Sequence, residues 1–497
     1  MSKINTTEFM TEKKATKAWA HRDVDIEHVG TKITLPADPA PMPLRTAIRA
    51  LERKAKDEET INSVHEVINA YPEDALVAFN MAMKQKYGWA SAQTKEIMTF
   101  FGKQEIPPQM ITVKTGPGPN DSVQVPYGQF TLPGIENPIE THRVAGPNGM
   151  VLVITGEVRK REVAVVKELA ELARQILKEN SIYKGRAIRL KVDTNGNLNQ
   201  QEPPEFISTA AVKPDELILN ADEFDQVSAA LWTPIRFTEQ CVKHSIPLKR
   251  GVLLEGTYGT GKTLTAAVTS KVCVDNGWTY ILLDDVRALK DALLFARRYQ
   301  PAVVFAEDAD RVVAIRDQRG NDILNVIDGV LTKDSEVITV LTTNHVELLD
   351  KAILRPGRLD AVISIRAPGP EAVAQLIRLY GRNLVKQDEE LTQVSEELAG
   401  NIPATIREVV ERSKLAMIAN GHDEVTQKDL LVAGRGMASH LELLRDAPAS
   451  QTLEEQVGDR LGAIVLRAVK EGATSVITEG ERNVQDMVSA IHKVTVG

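Results

Sequence analysis

The stretch G-T-Y-G-T-G-K-T at residues 256–263 constrains this chain more than any other. It follows an apolar, strand-like run at 251–254 and precedes a helix-like run at 263–274. In that setting G-x-x-x-x-G-K-[ST] wraps a phosphate, which requires a strand–loop–helix unit within an α/β fold. Gly256, Gly259 and Gly261 let the backbone take positive φ and turn its N–H groups toward phosphate oxygens. Lys262 reaches toward β- and γ-phosphates, and the Thr263 hydroxyl is placed for Mg²⁺. The helix that begins here adds the positive end of its dipole beneath the same anion. Thr257, Tyr258, Thr260 and Leu264 complete the segment expected around a nucleoside triphosphate. A glycine-rich turn with a chance lysine is the competing reading, and it leaves the flanking strand and helix without a purpose.

A second acidic site follows. Residues 301–310, P-A-V-V-F-A-E-D-A-D, form a short continuous apolar run that ends in two adjacent carboxylates, Glu307 and Asp308. A parallel strand covered on both faces reads this way. Carboxylates at its C-terminal end emerge where open α/β sheets bind their ligands. One acid can hold the water shell of a bound metal while the other polarises an attacking water. Taken alone, the segment would pass for a solvated pair of charges at a strand end.

With these residues in view, the chain resembles the AAA-type ATPases. L-L-E-G-T-Y-G-T-G-K-T, P-A-V-V-F-A-E-D-A-D, V-L-T-T-N at 340–344 and L-L-D-K-A-I-L-R-P-G-R-L-D at 348–360 occur in the family's order. The resemblance covers roughly residues 220–445, and the R-P-G-R-L-D string is its most specific part. It implies an α/β fold: a P-loop AAA+ module with a parallel sheet core plus a helical lid. It also implies ATP and Mg²⁺ as ligands, with Thr263 and Glu307 on the metal, largely through water, and Asp308 on the attacking water. By the same resemblance Asn344 is the polar sensor at the end of its strand. Arg355 and Arg358 are then arginine fingers directed at the nucleotide of a neighbouring subunit, a task that suits an always-charged planar guanidinium. Fingers supplied in trans imply a homo-oligomeric ring, usually a hexamer in this family.

Three departures qualify the resemblance. The family's acid pair runs Asp then Glu, whereas here Glu307 precedes Asp308, which leaves slow hydrolysis open. The phosphate loop carries Thr257 and Tyr258 where two prolines are common. Between the strand at 279–283 and the acid strand there is no aromatic–hydrophobic–glycine triplet of the kind that lines the pore of peptide-threading relatives. Phe295 and Tyr299, at helical spacing, are expected to pack rather than grip.

The 497 residues suggest about three domains on length alone. With 43% hydrophobic and 26% charged residues, the chain has the composition of an ordinary globular protein. Two cysteines, Cys241 and Cys273, lack the spacing of a disulfide or zinc framework and suit a reducing, cytoplasmic setting. No apolar run approaches the length of a transmembrane helix, and M-S-K-I-N-T-T-E-F-M lacks the apolar core of a signal peptide. The formal net charge of −8 gives no electrostatic footprint for nucleic acid.

Ahead of the ATPase-like module, residues 1–40 read as a flexible leader and 41–105 as a helical segment. In the latter, Leu44, Ala47, Ile48 and Leu51 share one face, and Ile61, Val64, Val67 and Ile68 another. Arg45, Arg49, Arg53, Lys54 and Lys56 make the first helix basic, as a solvated or subunit-facing surface would be. Residues 106–215 read as a mixed α/β domain, with β-favouring runs at 110–113, 123–125, 129–132 and 150–154. An amphipathic helix follows, with Val165, Val166, Leu169, Leu172, Ala173 and Ile176 on one stripe, and then a strand at 187–192. The D-T-N-G-N at 193–197 opens like a calcium loop, but its twelfth position is Pro204, which favours a turn. No family is suggested for these N-terminal residues, whose expected role is to select a partner.

The large nucleotide-binding subdomain is expected at 216–368 and the helical lid at 369–446, with helices at 371–384, 392–398, 404–418 and 427–444. Thr426 and Asp429 suggest a capping-box pairing at the last of these. Arg407, one turn beyond the place where other branches of the family carry a sensor arginine, reads equally as its substitute or as an exposed helix charge. A C-terminal helical extension at 447–497, with helices at 453–470 and 483–492, completes the division. The leading expectation is a ring-forming ATPase that remodels or assembles an unidentified protein partner through its N-terminal domains. The alternative is a slow-turnover, nucleotide-dependent assembly switch. A nucleic-acid motor or loader is weakened by the acidic balance, and a kinase or transferase would leave Arg355 and Arg358 unused.

Overall fold

The computed structural model describes residues 24–28, 31–35, 44–89, 95–99, 102–106, 109–199, 202–309, 335–348, 359–421 and 423–446. The extension expected at 447–497, with both of its helices, lies outside the described residues, as do Arg355 and Arg358.

Regular structure begins inside the expected leader. Strands β1 (Val24–His28) and β2 (Thr31–Leu35) pair antiparallel, with Val24 opposite Leu35 and Ile26 opposite Ile33. Alternation in V-D-I-E-H and T-K-I-T-L carries this hairpin, despite the prolines that follow it. The helix Leu44–Glu58 forms as expected. The rest of the 41–105 segment is not all helical, which corrects that expectation. Residues 61–68 are strand β3 (Ile61–Ile68), whose even-numbered residues turn inward while Ile61 and Val67 face out. Its eight residues form a continuous antiparallel ladder with a distant apolar strand, and that long-range pairing overrides a spacing equally compatible with a helix. After the helix Pro72–Tyr87, β4 (Lys95–Thr99) and β5 (Gly102–Ile106) form another hairpin.

The mixed α/β domain adds β6 (Gln109–Lys114), β7 (Ser122–Tyr127), β8 (Gln129–Phe130), β9 (Ile139–Gly146) and β10 (Gly149–Arg159). Three of these strands join β3 in an antiparallel sheet of order β3-β10-β9-β8. The helix Val163–Asn180 buries Val166, Leu169, Ala173 and Ile176 of its expected stripe. Strand β9 was not anticipated.

The larger sheet comprises β11 (Ala187–Leu190), β12 (Glu205–Phe206), β13 (Arg250–Glu255), β14 (Thr279–Leu283), β15 (Ala302–Ala306), β16 (Val337–Thr343) and β17 (Ala361–Ser364). Its order is β12-β11-β14-β15-β16-β13-β17, parallel except for β12 at one edge. Two of these strands come from residues assigned to the preceding domain, so the boundary expected at 215–216 is corrected. The nucleotide-binding sheet already begins at Ala187. Both faces are covered. Ile281 and Leu283 join the core on one side, and Tyr280, Val303 and Phe305 the core on the other. Continuous apolar strands are the sequence signature of that double burial.

The core on the first side runs without a break into the N-terminal domain. Tyr71, Tyr183, Phe295 and Tyr299 form an aromatic cluster, with Phe295 and Tyr299 rings 4.8 Å apart and Tyr183 and Tyr299 5.7 Å apart. Both Phe295 and Tyr299 are buried, so they pack as expected. Beside them the buried Asp74 accepts hydrogen bonds from the Ser181 hydroxyl at 2.7 Å and the Ile182 N–H at 2.9 Å. Tyr299 accepts from the Tyr71 N–H at 2.8 Å. Burial, opposed by the hydrogen bonds from Ser181, Ile182 and Tyr299, raises the Asp74 pKa from 3.8 to about 6. A carboxyl whose pKa is raised by folding binds its proton more tightly in the folded chain. Stability contributed by this group is therefore present at low pH and is lost as pH rises through about 6. Urea unfolding should show this fall, on the order of 2–3 kcal/mol between about pH 4 and about pH 7, and Asp74→Asn should flatten it. An identical slope in that variant would remove Asp74 as its source.

Among the described residues, 377–398, 404–421 and 423–446 form a second compact unit. Its helices Thr392–Leu398, Pro403–Ala419 and Gln427–Asp446 match the expected lid helices closely, and Pro370–Gly381 is followed by a 3₁₀ turn, Arg382–Leu384. The capping pair is formed. Asp429 accepts from the Thr426 N–H at 3.0 Å and from its hydroxyl at 2.7 Å.

Candidate functional site

Strand β13 lies between β16 and β17, parallel to both, and delivers the chain into the glycine loop. Gly256 has φ +154°, and a Cβ placed there would lie 2.2 Å from the Ile365 carbonyl oxygen. No other residue fits this position without moving the backbone of β17's end. Gly261, at φ +115°, caps the helix Lys262–Asp275, whose first N–H groups open toward the loop. Leu217 and Leu219 stand beside Gly261. Thr260 is buried and its hydroxyl donates to the Thr257 carbonyl at 2.9 Å, which tightens the turn. Tyr258 and Leu264 are exposed.

The Lys262 ammonium donates to the carbonyls of Gly256 at 2.5 Å and Thr257 at 2.9 Å, inside the curl of the loop. It is the loop's own cation, so Lys262→Ala should weaken nucleotide binding by at least about tenfold, the range for a charged hydrogen-bonding partner. Titration with a fluorescent nucleotide checks this, and unchanged affinity would sink the assignment of the loop.

The acid strand ends beside this loop. The Thr263 hydroxyl donates to Glu307 Oε1 at 3.0 Å. Asp308 occupies the left-handed region at φ +54°. Its Oδ1 accepts from Asn344 Nδ2 at 3.1 Å, and its N–H donates to Thr342 Oγ1 at 3.1 Å. The two carboxylates therefore have different neighbours: Glu307 the loop threonine, Asp308 the end of β16. A hydroxyl and a carboxylate side by side are hard oxygen donors of the kind Mg²⁺ takes, with water filling the remaining positions. The Gly256 N–H donates to the Thr343 carbonyl at 3.2 Å, which ties the loop's first glycine to the same strand end.

Several residues at the site carried no signal of their own in the sequence. Asp360 closes the R-P-G-R-L-D string and anchors β13, since its carboxylate accepts from the Gly251 N–H at 2.8 Å. Glu223 is buried and takes both the Arg366 N–H and its guanidinium, at 3.1 and 2.9 Å. Asn220 holds the Gly369 N–H at 2.7 Å. His345, next to the expected sensor, contacts Glu347 at 3.0 Å and lies edge-on to Tyr258. Each has a partner far along the chain; His345 also has one, Glu347, only two residues away.

Residues 252–367 match the family model described as ATPase family associated with various cellular activities (AAA). The chain is 27% identical over 233 residues to a 26S proteasome regulatory subunit 8 homolog of Schizosaccharomyces pombe, covering 42% of this chain and 57% of that protein. It is 25% identical over 291 residues to 26S proteasome regulatory subunit 6A of Encephalitozoon cuniculi, covering 52% and 71%. To the ATP-dependent zinc metalloprotease FtsH of Thermus thermophilus it is 29% identical over 229 residues, covering 42% and 36%. These similarities point to ATP hydrolase chemistry. Among the described residues no helix is long and apolar enough to cross a membrane.

Proposed function

This chain belongs to the AAA-type ATPases through residues 252–367, and on that premise we propose that it is a ring-forming Mg-ATP hydrolase. Its task on this reading is to remodel or assemble a protein partner through the N-terminal domains. The observation that carries the proposal is that the two acids have different neighbours: Glu307 beside Thr263, Asp308 beside Asn344.

Lys262 and the N–H groups of residues 256–263 bind the β- and γ-phosphates. Thr263 and Glu307 hold Mg²⁺ and its waters. The metal, when bound, neutralises charge on the phosphates during transfer. Asp308 takes the proton of the attacking water, and Asn344 holds that carboxylate and reaches toward the γ-phosphate. Arg355 and Arg358 stabilise the transferring phosphoryl group across a subunit boundary. A hexameric ring, a cytoplasmic location and a protein partner belong to the same proposal. Two buried free thiols suit that compartment.

A second reading, the slow-turnover assembly switch, draws support from the buried Phe295 and Tyr299 and from the shorter carboxylate at Asp308. One experiment separates the two. Electron microscopy with a slowly hydrolysed ATP analogue, beside a steady-state ATPase assay on the same preparation, should give rings and turnover for the remodelling enzyme. Rings with little turnover favour the switch. Absence of both nucleotide binding and assembly overturns either reading.

A further inference from the structure

The turn that presents Asp308 is held from outside its own strand. A non-glycine residue in the left-handed region, as Asp308 is at φ +54°, is strained and persists only where neighbours enforce it. The enforcing neighbour is Thr342 on β16, which is buried. Its hydroxyl accepts the Asp308 N–H at 3.1 Å, and its carbonyl accepts the next N–H, that of Ala309, at 2.8 Å. Asn344, two residues further on, then meets the Asp308 carboxylate at 3.1 Å.

We propose that Thr342 is a positioning residue for hydrolysis: its hydroxyl locks the left-handed turn that brings the short Asp308 carboxylate forward to Asn344. The inference rests on the reading of Asp308 as the group that polarises water. An aspartate reaches one methylene less far than the glutamate common at this place, so the backbone must supply the difference. Without the Thr342 hydroxyl, the Asp308 N–H loses this hydrogen bond. The turn relaxes toward negative φ, and the carboxylate swings off Asn344. Valine keeps the shape of the threonine but has no hydroxyl to accept the Asp308 N–H; serine keeps the hydroxyl.

The test is steady-state ATP hydrolysis and nucleotide affinity for the parent, Thr342→Val, Thr342→Ser, Asp308→Asn and the Val/Asn double variant. Thr342→Val should lose about 10–100-fold in kcat with ATP affinity within about twofold of the parent, as expected when a reacting group is displaced by about 1 Å. Thr342→Ser should restore most of the rate, and the valine should cost nothing further in the Asp308→Asn background. Parent kcat in Thr342→Val, or an equal loss in valine and serine variants, overturns the proposal while an inactive Asp308→Asn leaves the reading of Asp308 standing. If the valine variant does not fold, Thr342→Ala replaces it in the comparison with serine, and equal kcat for alanine and serine overturns the proposal. Parent turnover in Asp308→Asn overturns the reading of Asp308 and the proposal with it.

Discussion

Asp308→Asn is expected to bind ATP with nearly parent affinity and to lose about 10²–10⁴-fold in turnover, the range for removing a general base. The asparagine keeps the size of the side chain and an oxygen for Asn344, so the turn after β15 should survive. What disappears is the ability to take a proton from water. Nucleotide should therefore stay trapped, and any assembly that depends on bound ATP should become more persistent. Glu307→Gln should behave differently, because its partner is the Thr263 hydroxyl rather than the end of β16. Loss of that carboxylate should weaken Mg²⁺-dependent binding before it affects chemistry. A single-turnover assay with labelled ATP at several Mg²⁺ concentrations distinguishes the two. If the variants have the same phenotype, or if both match the parent, this strand end does not divide the work as proposed.

The parts of this site that were legible in the sequence are those whose physics is local. The loop from Gly256 to Thr263 needs glycines at fixed offsets and a helix directly after, so a one-dimensional reading suffices. Strand β15 announces itself because burial on both faces leaves it wholly apolar up to Glu307. Outside the site, the Thr426–Asp429 cap joins residues three apart, and it forms as expected. Elements whose identity depends on a distant partner were harder to read. Strand β3 has apolar residues at a spacing that fits a helix, and only its ladder with β10 settles the matter. Strand β11 was visible as a strand, but nothing nearby says that it pairs with β14 rather than with the domain before it. Thr342 reads as one more β-branched residue of a buried strand until its hydroxyl is seen on the Asp308 N–H. Asp360 and Glu223 are likewise ordinary acids until their backbone partners, more than a hundred residues away, are known.

Arg355→Ala is expected to have the largest effect of any single substitution, a loss of about 10³–10⁵-fold in turnover with nucleotide binding almost unchanged. Arg355 and Arg358 follow the Asn344 strand end closely in sequence, which makes a return to the same phosphate awkward and a neighbour's phosphate the natural target. A guanidinium that arrives only from the next subunit stabilises the transition state without contributing much to binding of the ground state. Mixing Arg355→Ala with Lys262→Ala subunits tests this directly. Each homogeneous preparation lacks either the finger or the loop cation at every interface. A mixed ring contains some interfaces where an intact loop faces an intact finger, so part of the activity should return. The mixture must exchange subunits, which labelling of each variant with a different fluorophore establishes. With exchange shown, no recovery at any mixing ratio would count against fingers in trans. Full-rate hydrolysis by the parent at nanomolar concentration, where it sediments as a single subunit, would end the ring mechanism altogether.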